Sequence, residues 1–483
     1  MSQRGIVRLM IILFILFLIG VNQFILNDSY NDPDHQIELK NQILKVSGYW
    51  ELEPIQIDGN AKGPGAKNWT WAEDQDWCSG LGTIDTPYVI ENITIDSLNA
   101  ESCITIVNSN IYFMIKNCTL INAEVGIHFN NVANGNISET KIFSPIANGG
   151  GIYIKDSHNI TFFYNDITDC STGFGFDYEY CTNINILKNN ISFSSTAINL
   201  WGNGSGKNIV ISENRIFNNT FALSIFKYNQ CEISNNLFYN NTYGFEVEYM
   251  KNSTISGNLI DNVENNPALF LRYFVNNTII NNNITNCPTG ILMYFSSHKN
   301  VIRKNNLYNC RMNGIGISSA FNSMSDFNRI SENSIINNGY AGIYIATNNN
   351  SVVNNTIEFY KYGIYIDGQN NNISRNLINF NTEYGIKLDS AHQNIIINNT
   401  LKYNKFGIFL DHSNNNSILG NRIILSYECI TLYHSYDNII KYNYCKLFPT
   451  IRPITILGYN VFIVLCLILI INGFIRIKSK VIN

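Results

Sequence analysis

Three short segments in the C-terminal half have the same pattern: GIYID at Gly363–Asp367, GIKLD at Gly385–Asp389 and GIFLD at Gly407–Asp411. They start 22 residues apart, and each joins a small residue to two apolar residues at alternate positions. Related segments recur at intervals of 21 to 28 residues, starting at Cys103, Gly126, Gly151, Gly173, Ala197, Ala222, Gly244, Ala268, Gly290, Gly314, Gly342 and Cys429. A repeat of this length indicates a solenoid protein.

The pattern within each repeat predicts β-strands. Apolar and polar residues alternate with a period of two in Gly363–Asp367 and again in Asn372–Ile378. No stretch between Cys103 and Cys445 has a helical period of useful length, so helical repeats do not fit. A polar low-complexity tract would not keep its apolar positions in phase over so many repeats. The fold expected is therefore an all-β solenoid.

Asparagine forms a second regular column. Each copy precedes an Ile, Leu or Cys by two residues, and stacked asparagines can hydrogen-bond along the solenoid axis or adopt the left-handed backbone of a tight corner. The predicted column comprises Asn165, Asn189, Asn214, Asn235, Asn258, Asn282, Asn305, Asn333, Asn355, Asn376, Asn399, Asn421 and Asn443.

With these two columns and the segment Gly82–Ile90, the chain resembles the NosD-like proteins of the pectin-lyase-like superfamily, often grouped with carbohydrate-binding and sugar-hydrolase β-helices. The resemblance covers residues 78–447. It implies a right-handed parallel β-helix of about fifteen coils, and it specifies the fold more strongly than the function.

Both ends of the sequence predict membrane anchoring. Residues 6–26 and 454–475 are almost wholly apolar, and basic residues flank each on the side away from the repeats. The expected organisation is a signal anchor at 1–27, a tether and N-terminal cap at 28–77, the β-helix at 78–447, and a transmembrane helix with a basic cytoplasmic tail at 448–483. The first segment could instead be a cleaved signal peptide, and the last a buried capping helix. The repeats are placed outside the cell or in the periplasm.

One outward strip on the predicted helix suggests ligand binding. The residues two and four after the small anchor face outward, and aromatic rings with charges suit a sugar polymer. An ordinary solvated face is the alternative. The candidate ligand-binding residues are Asp177, Trp201, Glu246, Glu248, Arg272 and Tyr273.

A second strip is acidic. Asp367, Asp389 and Asp411 are stacked at intervals of 22 residues, with His412 and His434 beside them. The three carboxylates could bind calcium, or could simply end their strands as turn-capping residues. Asp177, Asp411 and His412 are the candidates for catalysis. The partner motifs of pectate lyases and polygalacturonases are absent from the sequence. A lyase, hydrolase or epimerase is therefore only the alternative function.

Cysteines and asparagines suggest covalent features. Cys287 and Cys310 occupy the same place in adjacent repeats, which predicts a disulfide or a pair of small buried residues. Among many Asn-x-Ser/Thr sequons, Asn68 and Asn203 are the best candidates for glycosylation. NosD proteins are associated with copper, but the scattered histidines and methionines give no close ligand set, so no cofactor is expected.

Composition narrows the list of partners. The net charge is −4 and only 14% of residues are charged, so the basic stripe of a nucleic-acid-binding protein is missing. The sequence thus predicts a membrane-anchored, non-catalytic surface scaffold whose partners are a membrane and a glycan or surface polymer.

Overall fold

A computed structural model describes residues 50–98, 102–144, 149–177, 180–319 and 325–448 as an all-β right-handed parallel β-helix of about fifteen turns. Each turn contributes one strand to each of three parallel sheets, which we call sheets A, B and C. Apart from one short antiparallel pair near the N-terminal end, the described strands pair with their equivalents one turn away, for example Ile364 with Ile386 in sheet B. The predicted solenoid of strands is confirmed.

Sheet A has seventeen strands. They are Trp50–Leu52, Ile93–Asp96, Thr119–Ile121, Lys141–Phe143, Asp166–Thr168, Asn190–Ser192, Arg215–Phe217, Leu237–Tyr239, Leu259–Asp261, Asn283–Cys287, Asn306–Cys310, Ser334–Ile336, Thr356–Glu358, Leu377–Asn379, Thr400–Lys402, Arg422–Ser426 and Tyr444–Leu447.

Sheet B carries the small-residue repeat. Its strands are Ile55–Asp58, Ile104–Ser109, the first part of Val125–Ser138, Gly150–Lys155, Thr172–Phe176, Thr196–Trp201, Phe221–Phe226, Tyr243–Glu248, Asn265–Arg272, Thr289–Tyr294, Asn313–Ile317, Ala341–Ile345, Tyr362–Ile366, Tyr384–Asp389, Phe406–Asp411 and Glu428–Tyr433.

Sheet C closes each turn. Its strands are Cys78–Ser79, Tyr88–Glu91, Phe113–Lys116, the second part of Val125–Ser138, His158–Phe163, Thr182–Leu187, Lys207–Ser212, Glu232–Ser234, Thr254–Ser256, Thr278–Ile280, Val301–Arg303, Arg329–Ser331, Ser351–Val353, Asn372–Ser374, Ile395–Ile397, Ser417–Leu419 and Ile439–Lys441. Cys78–Ser79 pairs antiparallel with Val89 and Ile90.

Alternating side chains build the core. Ile364 and Ile366 are fully buried, whereas Tyr365 between them is only half-buried on the outer face. A small residue is needed at Gly363 because the next turn approaches closely: a Cβ there would lie 2.5 Å from the carbonyl oxygen of Gly385. The small residue recurs in each repeat because adjacent turns approach each other closely at this position.

The asparagine column divides into two roles. Asn354 has a left-handed backbone with φ of 58°, whereas the next residue, Asn355, points inward and is buried. The ladder therefore lies one residue after the left-handed corner. In the turn where the sequence placed Asn235 in the ladder, the structure places Asn236, and Asn235 is the left-handed residue. That assignment was wrong by one position because both residues are asparagine.

A second buried asparagine ladder was not predicted. It runs between sheets B and C, where each side-chain oxygen accepts a hydrogen bond from the backbone of the previous turn, as between Asn277 and Asn300. The other members are Asn328, Asn350, Asn371, Asn394, Asn416 and Asn438.

The N-terminal end of the described chain carries a short helix, Trp69–Glu73. Trp69 is buried, stacks on Tyr88 with ring centroids 5.0 Å apart, and donates from its indole nitrogen to the Ser109 hydroxyl at 2.8 Å. Within the described residues, no helix is long and apolar enough to cross a membrane. The predicted membrane segments, residues 6–26 and 454–475, lie outside that part of the chain.

Candidate functional site

A shallow groove opens on the outer face of sheet B at Gly175. This glycine lies between Tyr153 and Asn199 in the neighbouring turns, so one outward side chain is missing from the column. A Cβ there would lie 3.2 Å from the ring of Tyr153, so any larger residue would press on that ring. The groove has a volume of about 300 Å³ and is lined by Tyr153, Thr172, Gly175, Phe176, Asp177, Asn199 and Trp201.

An acid and two aromatic residues define the chemistry of the groove. The Asp177 carboxylate lies close to the Tyr153 hydroxyl; burial, followed by interaction with this negatively charged group, raises the pKa of Tyr153. Trp201 is 41% exposed, and its ring lies 5.2 Å from that of Phe226. Exposed rings beside a hydrogen-bonding carboxylate can contact the apolar face and the hydroxyls of a sugar.

The remaining charges of the first predicted strip pair with one another. Arg272 lies 2.5 Å from Glu246 and 3.4 Å from Glu248, measured from Nη2 to the carboxylate oxygens. Its guanidinium also lies over the ring of Phe270 at 5.0 Å. The structure therefore separates this cluster from Asp177 and Trp201, which line the groove.

Tyr273 belongs to a stacked ladder of rings. Its centroid lies 4.3 Å from that of Tyr249 and 5.6 Å from that of Phe295, with the planes nearly parallel. Parallel stacking along the axis covers ring faces and turns edges toward solvent. Tyr273 is thus placed beside the predicted strip without joining the groove.

The acidic strip is held by hydrogen bonds. Asp367 accepts from the Tyr344 hydroxyl at 2.7 Å, and Asp389 accepts from Tyr365 at 2.9 Å and from Lys387 at 2.8 Å. Burial, followed by repulsion from Asp389, raises the pKa of Asp367 despite the tyrosine hydrogen bonds.

Asp389 behaves in the opposite way. Burial alone would raise its pKa, but the Lys387 ammonium and the Tyr365 hydroxyl outweigh burial and lower it. Two acids in equivalent positions of adjacent turns therefore differ because Asp367 is more deeply buried and only Asp389 forms an ion pair with Lys387.

Asp411 completes the strip with the two histidines. Its Oδ1 lies 2.7 Å from His412 Nδ1, and the rings of His412 and His434 stack 5.0 Å apart. Asp411 lies ten strands of sheet B beyond Asp177, a separation of about 48 Å at the usual strand spacing. These catalytic candidates therefore cannot act on one bond together.

The side chains that could bind a metal ion are dispersed in the described chain. In the part of the chain that the structure describes, no three His, Cys, Asp or Glu side chains are grouped to hold a metal ion. Cys429 and Cys445 form a disulfide, and the Nδ1 atoms of His392 and His412 are engaged with Asn414 and Asp411. These residues do not fit a copper site. Calcium binding by Asp367, Asp389 and Asp411 stays a prediction; a bound ion would have to compete with the side chains that already contact these carboxylates.

Two pairs of cysteines lie close together in the described chain. Cys429 and Cys445 form a disulfide that the sequence analysis missed, because their 16-residue separation does not follow the repeat interval. Cys287 and Cys310 are direct register partners, with their sulfur atoms 3.3 Å apart as two buried thiols. A bond between them stays a prediction.

The two glycosylation candidates have different surroundings. Asn203 is exposed in a glycine-rich loop. The side chain of Asn68 caps the helix Trp69–Glu73 by accepting from Trp71 N at 3.0 Å, and its amide donates to Ala61 O at 3.1 Å. A glycan on Asn68 would compete with these contacts.

Tyr153 and Gly175 are groove residues that the sequence analysis did not select. Both stand two positions after a small anchor, in the column already identified as outward-facing. The available signal was a glycine between an aromatic residue and an asparagine in that column, whereas the sequence prediction rested on charged and aromatic residues further along it.

The geometry defines a parallel β-helix with an open groove on one sheet. The chain belongs to the right-handed β-helix family: the model described as "Right handed beta helix region" matches residues 79–238 and 223–358. A second model, "Periplasmic copper-binding protein (NosD)", matches residues 322–447. No curated protein matches the sequence.

Solved structures with a similar fold include the A-module of mannuronan C-5 epimerase AlgE6 from Azotobacter vinelandii, with 13% identity, coverage of 75% of this chain and 88% of that chain, and a TM-score of 0.35. The periplasmic alginate epimerase AlgG shows 14% identity, coverage of 76% and 80%, and a TM-score of 0.37. A tailspike protein of the E. coli bacteriophage HK620 shows 11% identity, coverage of 68% and 71%, and a TM-score of 0.39.

Proposed function

We propose that this chain is a membrane-anchored surface β-helix that binds a glycan or surface polymer, without cleaving it, in the groove at Gly175. The observation that carries the proposal is the joint lining of this groove by Tyr153, Asp177 and Trp201. The aromatic rings would contact the apolar face of a sugar, and the carboxylate would accept hydrogen bonds from its hydroxyls.

Binding at one groove should be weak. An aromatic contact adds only about 1 kcal/mol beyond the area that it buries, and an open groove excludes little water. Many copies tethered in one membrane would convert weak contacts into firm adhesion through their high effective concentration. Weak binding at one groove and a gain from many tethered copies favour a scaffold or adhesin over a soluble single-site receptor.

The arrangement of acids favours binding over catalysis. Bond cleavage or epimerisation in a polysaccharide needs an acid and a base that reach the same sugar. Asp177 shares the groove with Tyr153, while Asp411 and His412 lie many turns away. A lyase, hydrolase or epimerase would have to use the Tyr153–Asp177 pair alone.

The repeats are proposed to lie outside the cytoplasm. The Cys429–Cys445 disulfide is favoured in an oxidising compartment such as the periplasm or the cell exterior. Residues 6–26 and 454–475 would anchor the chain with both termini inside, since basic residues flank both segments on the same side. Protease added to intact cells, or to spheroplasts if an outer membrane is present, should remove the repeats and spare both tails. Protected repeats would contradict this topology.

A glycan array probed with the full chain, displayed in many copies on beads, tests the function. We expect the beads to bind a limited set of polymers. A polymer eluted from the beads should be unchanged in length and sugar composition. Shortened, unsaturated or epimerised products that disappear in Asp177→Asn would establish the enzyme instead.

A further inference from the structure

The last turn of the β-helix exposes side chains that every earlier turn buries. Leu432 is 44% exposed, although its register partner one turn earlier, Leu410, is fully buried. Ile440 is 39% exposed, although its partner Ile418 is fully buried. Within the described chain, no strand pairs with the far edge of this turn. Among the residues that the structure describes, this end is therefore a cross-section of the core that no other part covers.

Tyrosines and lysines surround that end. Tyr433, Tyr436, Tyr442 and Tyr444 are all more than half exposed, and Tyr442 reaches 89%. Lys441 and Lys446 are exposed among them. Tyrosine is enriched where a membrane meets water, and lysine can extend its ammonium group to lipid phosphates while its stem stays apolar.

The chain itself brings this end close to a bilayer. Ile454, the start of the apolar segment 454–475, is the sixth residue after Phe448, with five residues between them. Six residues span at most about 20 Å when fully extended. If that segment crosses the membrane, the last turn must lie within this distance of the lipid surface.

The same segment is poorly suited to cover the open end as a cap. A capping helix needs one polar face toward water, but Val461–Ile471 is eleven consecutive apolar residues. A helix that is apolar on all sides belongs inside a bilayer or a large core. The bilayer is therefore the better cover for Leu432 and Ile440.

We propose that the C-terminal turn of the β-helix, residues 428–447, docks onto the lipid surface with its open end. This inference rests on the proposed anchoring by residues 454–475. Tyr442 and Tyr444 would lie among the headgroups, with Lys441 and Lys446 near the phosphates. The β-helix would then stand on the membrane, and its groove at Gly175 would be held well above the lipid.

Fluorescence quenching in lipid nanodiscs tests this contact. The full chain carries bimane on Tyr442→Cys, and a matched variant carries it on Tyr164→Cys, which is 56% exposed far from this end. The eight described free cysteines are buried and should not label, and both variants carry Cys466→Ser, which removes the cysteine of the apolar segment 454–475. With brominated lipid, the bimane at position 442 should lose about half its fluorescence, since interfacial side chains sit at headgroup level. The bimane at position 164 should lose none.

The outcomes separate this inference from the proposed function. Tyr436→Cys provides a second labelling site if Tyr442→Cys does not fold. If carbonate does not extract the chain from the membrane, but brominated lipid does not quench bimane at position 442 or at position 436, the docking is overturned and the anchoring stays intact. Bimane shielded from iodide yet unquenched by lipid would show a protein cover and would also overturn it. Extraction by carbonate would overturn both the anchoring and the docking, while glycan binding is scored separately.

Discussion

Asn355 and Asn376 are linked twice across adjacent turns: the side-chain oxygen of Asn376 accepts from the Asn355 backbone at 2.9 Å and from its amide at 3.0 Å. Asn355 offers its own oxygen to Asn333 in the same way. The buried ladder thus satisfies one backbone donor and one side-chain donor at each corner.

Asn355→Ala should destabilise the β-helix by several kcal/mol. The substitution leaves two donors of Asn333 without partners in the core, at about 1–3 kcal/mol for each, and also removes the side-chain hydrogen bond to the Ile330 carbonyl. Urea denaturation with hydrogen exchange at the neighbouring turns measures the effect. The control is Asn354→Gly at the exposed left-handed corner, which should change stability little. Equal effects of the two substitutions would contradict the division of roles.

Ile364→Asp should unfold the surrounding turns. Ile364 is fully buried, and a charge without a partner in that position costs several kcal/mol. Tyr365→Phe, one residue further on the outer face, removes only the hydrogen bond to Asp389 and should cost about 1 kcal/mol. Circular dichroism during denaturation compares the two variants, and similar losses would contradict the strand register.

Asp367→Asn and Asp389→Asn should change stability in opposite directions at pH 7. The raised pKa of Asp367 means that its charged form disfavours folding, so the amide should stabilise. The lowered pKa of Asp389 means that its charge supports folding, so the amide should destabilise.

The difference in stability between each variant and the parent chain should become smaller at acidic pH. The Asp389 contribution is lost as pH falls through its lowered folded pKa, and the Asp367 penalty disappears as pH falls below its ordinary value of about 3.9. Urea midpoints of the two variants and the parent chain, taken from pH 7 to pH 3, measure this. A shared direction at pH 7 would show that Lys387 does not separate the two acids.

Peptide mapping without reduction should recover a Cys429–Cys445 cross-link from protein made in its native compartment. Removing both cysteines should destabilise the last turn by about 3 kcal/mol, the expectation for a loop of this size. The same map tests the prediction that Cys287 and Cys310 are bonded. Free thiols at all four positions would argue against an oxidising compartment.

The sequence was sufficient for the fold because one steric rule repeats. A small residue at Gly363 and buried isoleucines beside it leave the same signature in every turn. The sequence did not predict that Asn236, and not Asn235, belongs to the ladder, because the residue type alone does not show which of two adjacent asparagines points inward. The groove escaped for a different reason: it depends on Gly175, a missing side chain, and on Tyr153 one turn away.

Binding of a multivalent glycan probe to the full chain and to Trp201→Ala tests the central claim most directly. The matched control is Trp50→Ala, since Trp50 has nearly the same exposure, 39% against 41%, but lies on sheet A. Gly175→Val should fill the groove without removing any ring that lines it. We expect Trp201→Ala and Gly175→Val to abolish binding of the probe while Trp50→Ala keeps it and all three variants unfold at the parent's urea midpoint. Undiminished binding by both groove variants would contradict the account.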